Sequence, residues 1–351
     1  MTPRAQLAGA LAARTIAGSL AQAGGDGRLH CTACAHRCAL PDGATGRCGV
    51  RFRTGSELRV PFGYVAAVRV MPVERNTIFH LRPGHLALTF GMLGCDLHCP
   101  WCSNSSLSQA LRDEVEPPAV RDVTPADLVA EARAAGCRAV VSAFNEPMIT
   151  AEWARAVFAE AQRHGLATAL VSDGNTTPEA LAYMRPVTDV YRVDLKGWRP
   201  EHFRTVGGVA GAPLAALREA RRLGYWVEAV TVVIPGLNDD LPGLRALAGV
   251  LAGIDPDVPW HLNQFVPRYR MRDRAPTDPG VLVSAAGSAY ARGVRYVYVG
   301  NMADRVAELS HTRCPRCHAI AVRRHNFATE SVGLVHGRCP ACETALPGRW
   351  D

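Results

Sequence analysis

Between residues 81 and 300 the chain alternates short apolar runs with longer amphipathic ones. LALTFGML (86–93), CRAVVSAF (137–144), LATALVS (166–172), DVYRVDLKG (189–197), WVEAVTVVI (226–234), WHLNQFV (260–266) and RYVYVGN (295–301) have the length and β-branched content of buried strands. Helical spacing fills the gaps. In ITAEWARAVFAEAQRHG, Trp153, Val157 and Ala161 share one face and Gly165 marks the stop. TPEALAYM, PLAALREARRLG, LPGLRALAGVLAG and VLVSAAGSAYARG predict further helices. Strands alternating with helices predict an α/β fold with a parallel sheet, and right-handed crossovers curl it into a full or partial barrel.

The flanks read differently. Residues 1–80 open with an Ala-rich stretch whose Leu7 and Leu11 suit an amphipathic helix, then become polar and turn-rich around DGATGRCG. Such a segment packs no core of its own, so a bound metal is expected to hold it. Residues 301–351 return to cysteine, arginine and turn residues. The expected division is an N-terminal extension (1–80), a barrel (81–300) and a C-terminal extension (301–351).

Composition is that of a soluble globular protein, 48% hydrophobic and 20% charged. No apolar run reaches the roughly 18 residues of a membrane span, so no membrane partner and a cytoplasmic location are expected. The net charge of +7 is scattered and forms no dense basic stripe for nucleic acid. Of the 39 Lys and Arg residues only Lys196 is a lysine, which singles it out.

Cysteine carries the chemistry. Eleven of twelve fall into three clusters: Cys31, Cys34, Cys38 and Cys48; Cys95, Cys99 and Cys102; Cys314, Cys317, Cys339 and Cys342. Cys137 stands alone and reads as a buried small hydrophobe. Tight C-x2-C spacing without a secretory signal points to metal ligation in a reducing compartment. The middle cluster, GCDLHCPWCSN, follows the first barrel strand at once. Three thiolates can hold a 4Fe–4S cluster by three irons and leave one iron open. Zinc completed by His98, or a disulfide with a spare thiol, are the alternatives. NEP, SDG, DLK and the His261 segment also lie at ends or edges of predicted strands, where such barrels carry their active sites.

The C-x3-C-x2-C motif of Cys95, Cys99 and Cys102 resembles that of the radical S-adenosylmethionine superfamily. Nearly the whole chain resembles the radical enzyme of the AmmeMemoRadiSam system, related to pyruvate formate-lyase activating enzymes. The matching stretches are CTACAHRCALPDGATGRCGVR, FNEP, DVYRVDLKG, VVIPGLND, HLNQF with YRM, YVYVGN, and CPRC…CPAC…PGRW. The resemblance implies a (β/α)6-type barrel in which the cluster's open iron chelates S-adenosylmethionine. One electron then cleaves the sulfonium, and the 5′-deoxyadenosyl radical abstracts a substrate hydrogen. It implies a low-potential donor of flavodoxin or ferredoxin type and a substrate that is a small molecule, a protein or an RNA. Asn145 and Glu146 fall where relatives contact the methionine amino group. Asp173 falls where relatives have Thr-Asn-Gly, and Asp194 and Lys196 resemble an Asp-x-Lys pair that contacts the cofactor. His261 is expected to face cofactor or substrate. The chain departs from the family at MPVERNTIFHL (71–81), at Ser103 and at SDG, all on the expected substrate face.

Cys314, Cys317, Cys339 and Cys342 look like a zinc ribbon, with an auxiliary iron–sulfur cluster as the alternative. Its insert AVRRHNF reads as a solvated hairpin or an RNA contact. Cys31, Cys34, Cys38 and Cys48 suit zinc or a second cluster, since both accept four thiolates. A radical S-adenosylmethionine enzyme leads the functional readings. A glycyl-radical activase and a non-catalytic, zinc-stabilised nucleic-acid-binding protein stand behind it.

Overall fold

The computed structural model describes residues 3–302 and 307–350. One sheet dominates it. Its strands are β1 (Ala67–Pro72), β2 (Leu86–Gly91), β3 (Ala139–Ser142), β4 (Ala167–Ser172), β5 (Val190–Asp194), β6 (Trp226–Val233), β7 (Trp260–Gln264) and β8 (Val297–Gly300), neighbours in that order. The strands from β2 to β8 run parallel, and β1 pairs antiparallel with β2. Because β1 and β8 end the sheet without pairing with each other, the barrel is partial.

All seven strands expected from the apolar runs are present. β1 is the addition, and it carries the sheet back ahead of the boundary at residue 80. Its middle residues are solvent-exposed, so AVRVMP lacks a clean buried pattern.

The crossover helices repeat one local device. Helices α1 (Pro3–Ala12), α2 (Pro125–Ala134), α3 (Ala151–Arg163), α4 (Pro178–Met184), α5 (Ala212–Arg222), α6 (Leu241–Ile254) and α7 (Pro279–Ala291) follow the chain. Thr124, Thr177, Asp240 and Asp278 cap α2, α4, α6 and α7 through their side chains, each with a proline in the first turn. The oxygen satisfies an orphan N–H and the proline presets φ. α3 buries Trp153, Val157, Phe158 and Ala161. Cys137 lies in the same core, as expected.

The C-terminal strands β9 (Thr312–Arg313), β10 (Ile320–His325) and β11 (Ala328–Val332) form a small antiparallel sheet. The insert is a hairpin solvated on one face only: Arg323 and His325 are exposed, whereas the Arg324 side turns inward. Arg324 is fully buried, donates to Phe79 O and Thr312 Oγ1 at 2.7 Å each, and stacks 4.4 Å over the Phe79 ring. Its Nε lies 3.7 Å from the equally buried Glu74 carboxylate. The last residues follow it inward: Arg349 N donates to His80 O at 2.7 Å, and Arg82 N donates to Arg349 O at 2.8 Å. The extension and residues 73–82 thus pack together beside β8.

His80 fastens this packing. Its Nδ1 pairs with Pro347 O at 2.7 Å and its Nε2 with the Tyr298 hydroxyl at 2.6 Å. One ring nitrogen donates and the other accepts, which is the neutral imidazole. Burial outweighs the pull of Glu228 and lowers its pKa from 6.5 to about 4. The unfolded chain therefore takes up a proton that the folded chain refuses. Stability is complete above pH 6.5 and falls as the pH drops toward about 4, by ~3 kcal/mol from this residue. Urea midpoints measured from about pH 7 down to pH 4 should fall more steeply for the parent than for His80→Gln.

Candidate active site

At the C-terminal ends of the strands lies a cavity of about 460 Å³. β2 leads into it through Gly94, whose φ of 93° and near-contact with Val50 leave no space for a side chain. Cys95, Cys99 and Cys102 follow and all three line the cavity. Cys102 Sγ lies 3.2 Å from Ser108 Oγ. Among the described residues, the four thiols of Cys314, Cys317, Cys339 and Cys342 gather within 4.8 Å of one another, whereas Cys95, Cys99 and Cys102 do not. His98 points elsewhere: its Nε2 pairs with Asp113 Oδ2 at 3.0 Å. The zinc alternative completed by His98 therefore finds no support in the fold.

Two residues past the end of β3, Phe144 is a non-glycine residue at φ 72°, and this left-handed step presents Asn145 and Glu146. Asn145 Oδ1 accepts Met92 N at 3.0 Å, tying β3 to the turn after β2. Glu146 accepts from Asp173 N at 2.7 Å, and from Met148 N and the Ser172 hydroxyl at 3.0 Å each. Asp173 Oδ2 stands 4.0 Å from Cys95 Sγ, and Asp96 Oδ1 stands 3.9 Å from it. Burial, with Asp96 beside it, pushes Glu146 up to about 7. Burial, then Asp96 and Glu146, push Asp173 well above the carboxylate range. Burial and the same acids raise the Cys95 thiol. Asp96 was not singled out from sequence, because an aspartate inside a cysteine motif reads as a loop residue.

Across the cavity the Asp194–Lys196 pair is present and enlarged, with Asp194 closing β5 and Lys196 two residues past its end. Asp194 accepts from Lys196 Nζ at 2.8 Å and from Arg192 Nη1 at 2.9 Å. Burial works against the Lys196 charge, but Asp194 and Cys99 outweigh it and hold the ammonium well above its usual range. Burial likewise opposes the Asp194 charge, and Arg192 and Lys196 overcome it.

His261 is the correction. It occupies the second position of β7, low in the barrel, and does not line the cavity. Its Nε2 donates to Glu228 at 2.7 Å and its ring packs against Phe79 and Tyr298. Glu228 also accepts from Phe79 N, His80 N and Trp226 Nε1. Burial opposes the Glu228 charge, but His261 and these donors hold it down at about 2. Asn263, two residues on and on the same face, is the β7 side chain that reaches the cavity.

The remaining wall includes residues of the 71–81 segment and Ser103. Arg75, Asn76, Thr77 and Ser103 line it with Asn301 and Phe327. Phe327, at the tip between β10 and β11, lies under the Arg75 guanidinium at 5.6 Å. Asn263 Oδ1, Gln109 Oε1 and Arg192 Nε are buried there without a hydrogen-bond partner.

Residues 90–247, which include this barrel's cysteine turn, match the Radical SAM superfamily. The chain thus carries a radical SAM domain, which implies a 4Fe–4S cluster and S-adenosylmethionine. It is 27% identical over 311 residues to an uncharacterized protein of Methanocaldococcus jannaschii, covering 88% of this chain and 91% of that one. Among solved structures it is similar to a radical SAM methyltransferase from Sphaerobacter thermophilus, at 16% identity, with 86% and 83% of the two chains covered and a TM-score of 0.49. It is also similar to a domain of pyruvate-formate lyase-activating enzyme from Bacteroides vulgatus, at 16% identity, with 46% and 99% covered and a TM-score of 0.41. Among the described residues, no helix is long and apolar enough to cross a membrane.

The Arg192–Asp194–Lys196 triad at the end of β5 makes a testable asymmetry. Asp194→Ala leaves two buried cations side by side and should cost about 3–5 kcal/mol. Lys196→Ala leaves Arg192 paired with Asp194 and should cost clearly less. Chemical denaturation of both variants measures the difference.

Proposed function

We propose that this protein is a radical S-adenosylmethionine enzyme of the AmmeMemoRadiSam kind, with Cys95, Cys99 and Cys102 as the ligands of its 4Fe–4S cluster. The observation that carries this reading is the convergence on one cavity of three thiols, buried acids and a paired lysine. The three thiols do not gather within 4.8 Å of one another as the C-terminal four do, which suits a polynuclear cluster. The acids and the lysine suit a zwitterion: Glu146 and Asp173 can accept from its ammonium, and Lys196 can donate to its carboxylate. Three protein donors already fix Glu146, and a carboxylate has about four acceptor sites, so one direction remains.

When bound, cluster and cofactor supply reductive cleavage of the sulfonium to a 5′-deoxyadenosyl radical. The protein's own part is to orient and enclose. Asn145 holds the β2 and β3 ends in register, and Asp194 holds Lys196. The wall of Arg75, Asn263, Asn301 and Phe327 faces the substrate, which is a small molecule, a protein or an RNA. A flavodoxin or ferredoxin type donor supplies the electron. The C-terminal thiols hold zinc. Cys314 and Cys342, like Cys317 and Cys339, stand 3.6 Å apart, near the ~3.8 Å edge of a tetrahedron with 2.3 Å arms. Arg324 of the basic insert is buried, so it offers nothing to a nucleic acid, while Arg323 and His325 remain exposed.

Anaerobically reconstituted, reduced protein should release 5′-deoxyadenosine from S-adenosylmethionine, measured by chromatography; methylthioadenosine in its place would overturn the reaction class. Calorimetry should show Lys196→Arg and Lys196→Ala weakening cofactor binding by roughly 1.5–3 kcal/mol with the cluster intact, because a planar guanidinium does not replace a buried point charge. Cys339→Ser should lose the zinc and raise the protease sensitivity of the C-terminal extension without loss of the radical cluster.

A further inference from the structure

The N-terminal thiols play no part in the reading above, yet three of the four are buried. Cys31, Cys34 and Cys48 are buried, Cys38 is half-buried, and none is in a disulfide. The surrounding strands are two or three residues long, at Ala21–Ala23, Leu29–Cys31 and Ala39–Leu40. Strands this short do not hold a loop region together alone.

The backbone is folded around the sulfurs. Cys31 N donates to Cys38 O at 3.0 Å, and Arg37 N donates to Cys34 O at 3.1 Å with Arg37 itself left-handed at φ 43°. The Arg47 N–H points at Cys38 Sγ from 3.4 Å, which brings the loop carrying Cys48 against Cys38.

Spacing separates the candidate metals. The C-terminal thiols are gathered within 4.8 Å, as one ion requires. Among the described residues the N-terminal four do not form such a group, and in this they match Cys95, Cys99 and Cys102. A cubane puts each thiolate on its own iron, so its ligands stand farther apart than those of one zinc.

Position adds a second observation. Cys34 bridges to Thr176, and Ala35 N donates to Asn175 O at 2.9 Å. Asn175 Nδ2 donates at 2.7 Å to Asp96, the acid beside Cys95. By a separate route, Cys48 O lies 3.1 Å from where a Cβ on Gly94 would stand, next to Cys95. The N-terminal site therefore abuts the radical site through two sets of contacts.

We propose that Cys31, Cys34, Cys38 and Cys48 bind a second 4Fe–4S cluster, not zinc, packed directly against the turn that carries the radical cysteines. The test counts metals and records Mössbauer spectra on full-length protein reconstituted anaerobically with iron and sulfide. Three proteins are compared: the parent, the triple variant Cys95→Ala/Cys99→Ala/Cys102→Ala, and the double variant Cys34→Ser/Cys48→Ser. The parent should hold about eight irons and about one zinc, and each variant about four irons with a 4Fe–4S spectrum. A triple variant without iron and with a second zinc overturns the proposal, as does a 2Fe–2S spectrum or iron in no cluster. If the parent and the triple variant both hold about four irons, the N-terminal cluster stands and the radical-cluster reading fails. If the parent holds about four and the triple variant none, the reverse is true. The triple variant leaves the N-terminal segment untouched, so it decides the matter even where the double variant does not fold.

Discussion

Three carboxylates are buried around one thiol, and the rest of the site answers that constraint. Asp96 and Asp173 approach Cys95 within about 4 Å, and Glu146 is bound to the backbone of Asp173. Like charges this close in a low-dielectric setting cannot all ionise unless a cation joins them. The protein supplies only partial compensation: backbone N–H groups, the Ser172 hydroxyl and the Asn175 amide. It places its cations, Arg192 and Lys196, across the cavity on Asp194. The acid side is therefore left short of positive charge, and such a deficit is a binding preference before any ligand is considered.

The open barrel explains why the C-terminal extension belongs to the site. Seven parallel strands and one antiparallel edge leave β1 and β8 unpaired with each other. Arg324 enters beside β8 to meet Phe79 O and Glu74, and Phe327, three residues later, becomes part of the cavity wall. A metal held by Cys314, Cys317, Cys339 and Cys342 would therefore bear on the cavity through β10. A separate ribbon would influence stability only; this one also shapes what the cavity admits.

Much of this was legible in the sequence, for identifiable reasons. Buried parallel strands are apolar on both faces, so all seven announce themselves. Chemistry at their C-terminal ends follows from the topology, and Asn145, Glu146, Asp173, Asp194 and Lys196 meet on one cavity as expected. The failures lie where period-two geometry and tertiary contact decide. His261 and Asn263 share a face of β7, and sequence cannot say which sits at the rim; a two-residue step separates a sealed His261–Glu228 pair from a cavity side chain. AVRRHNF reads as solvent-facing because three bases and an asparagine are polar. Burying Arg324 depends on Glu74, some 250 residues away in the chain, and no local pattern encodes that partner.

The separation of charge across the cavity also bears on orientation. A zwitterion entering between Glu146 with Asp173 and Lys196 with Arg192 has one favourable alignment, and reversing it sets like charges against each other on both sides. Alignment matters more here than affinity, because a radical formed in the wrong place reacts with whatever is nearest. Rigidity enforces it: Asp194 is held from two sides, Glu146 by three donors, and Asn145 by the turn after β2. Each of those anchors sits at the end of a sheet strand rather than on a long loop, so the frame that fixes the fold also fixes the direction in which a ligand can point.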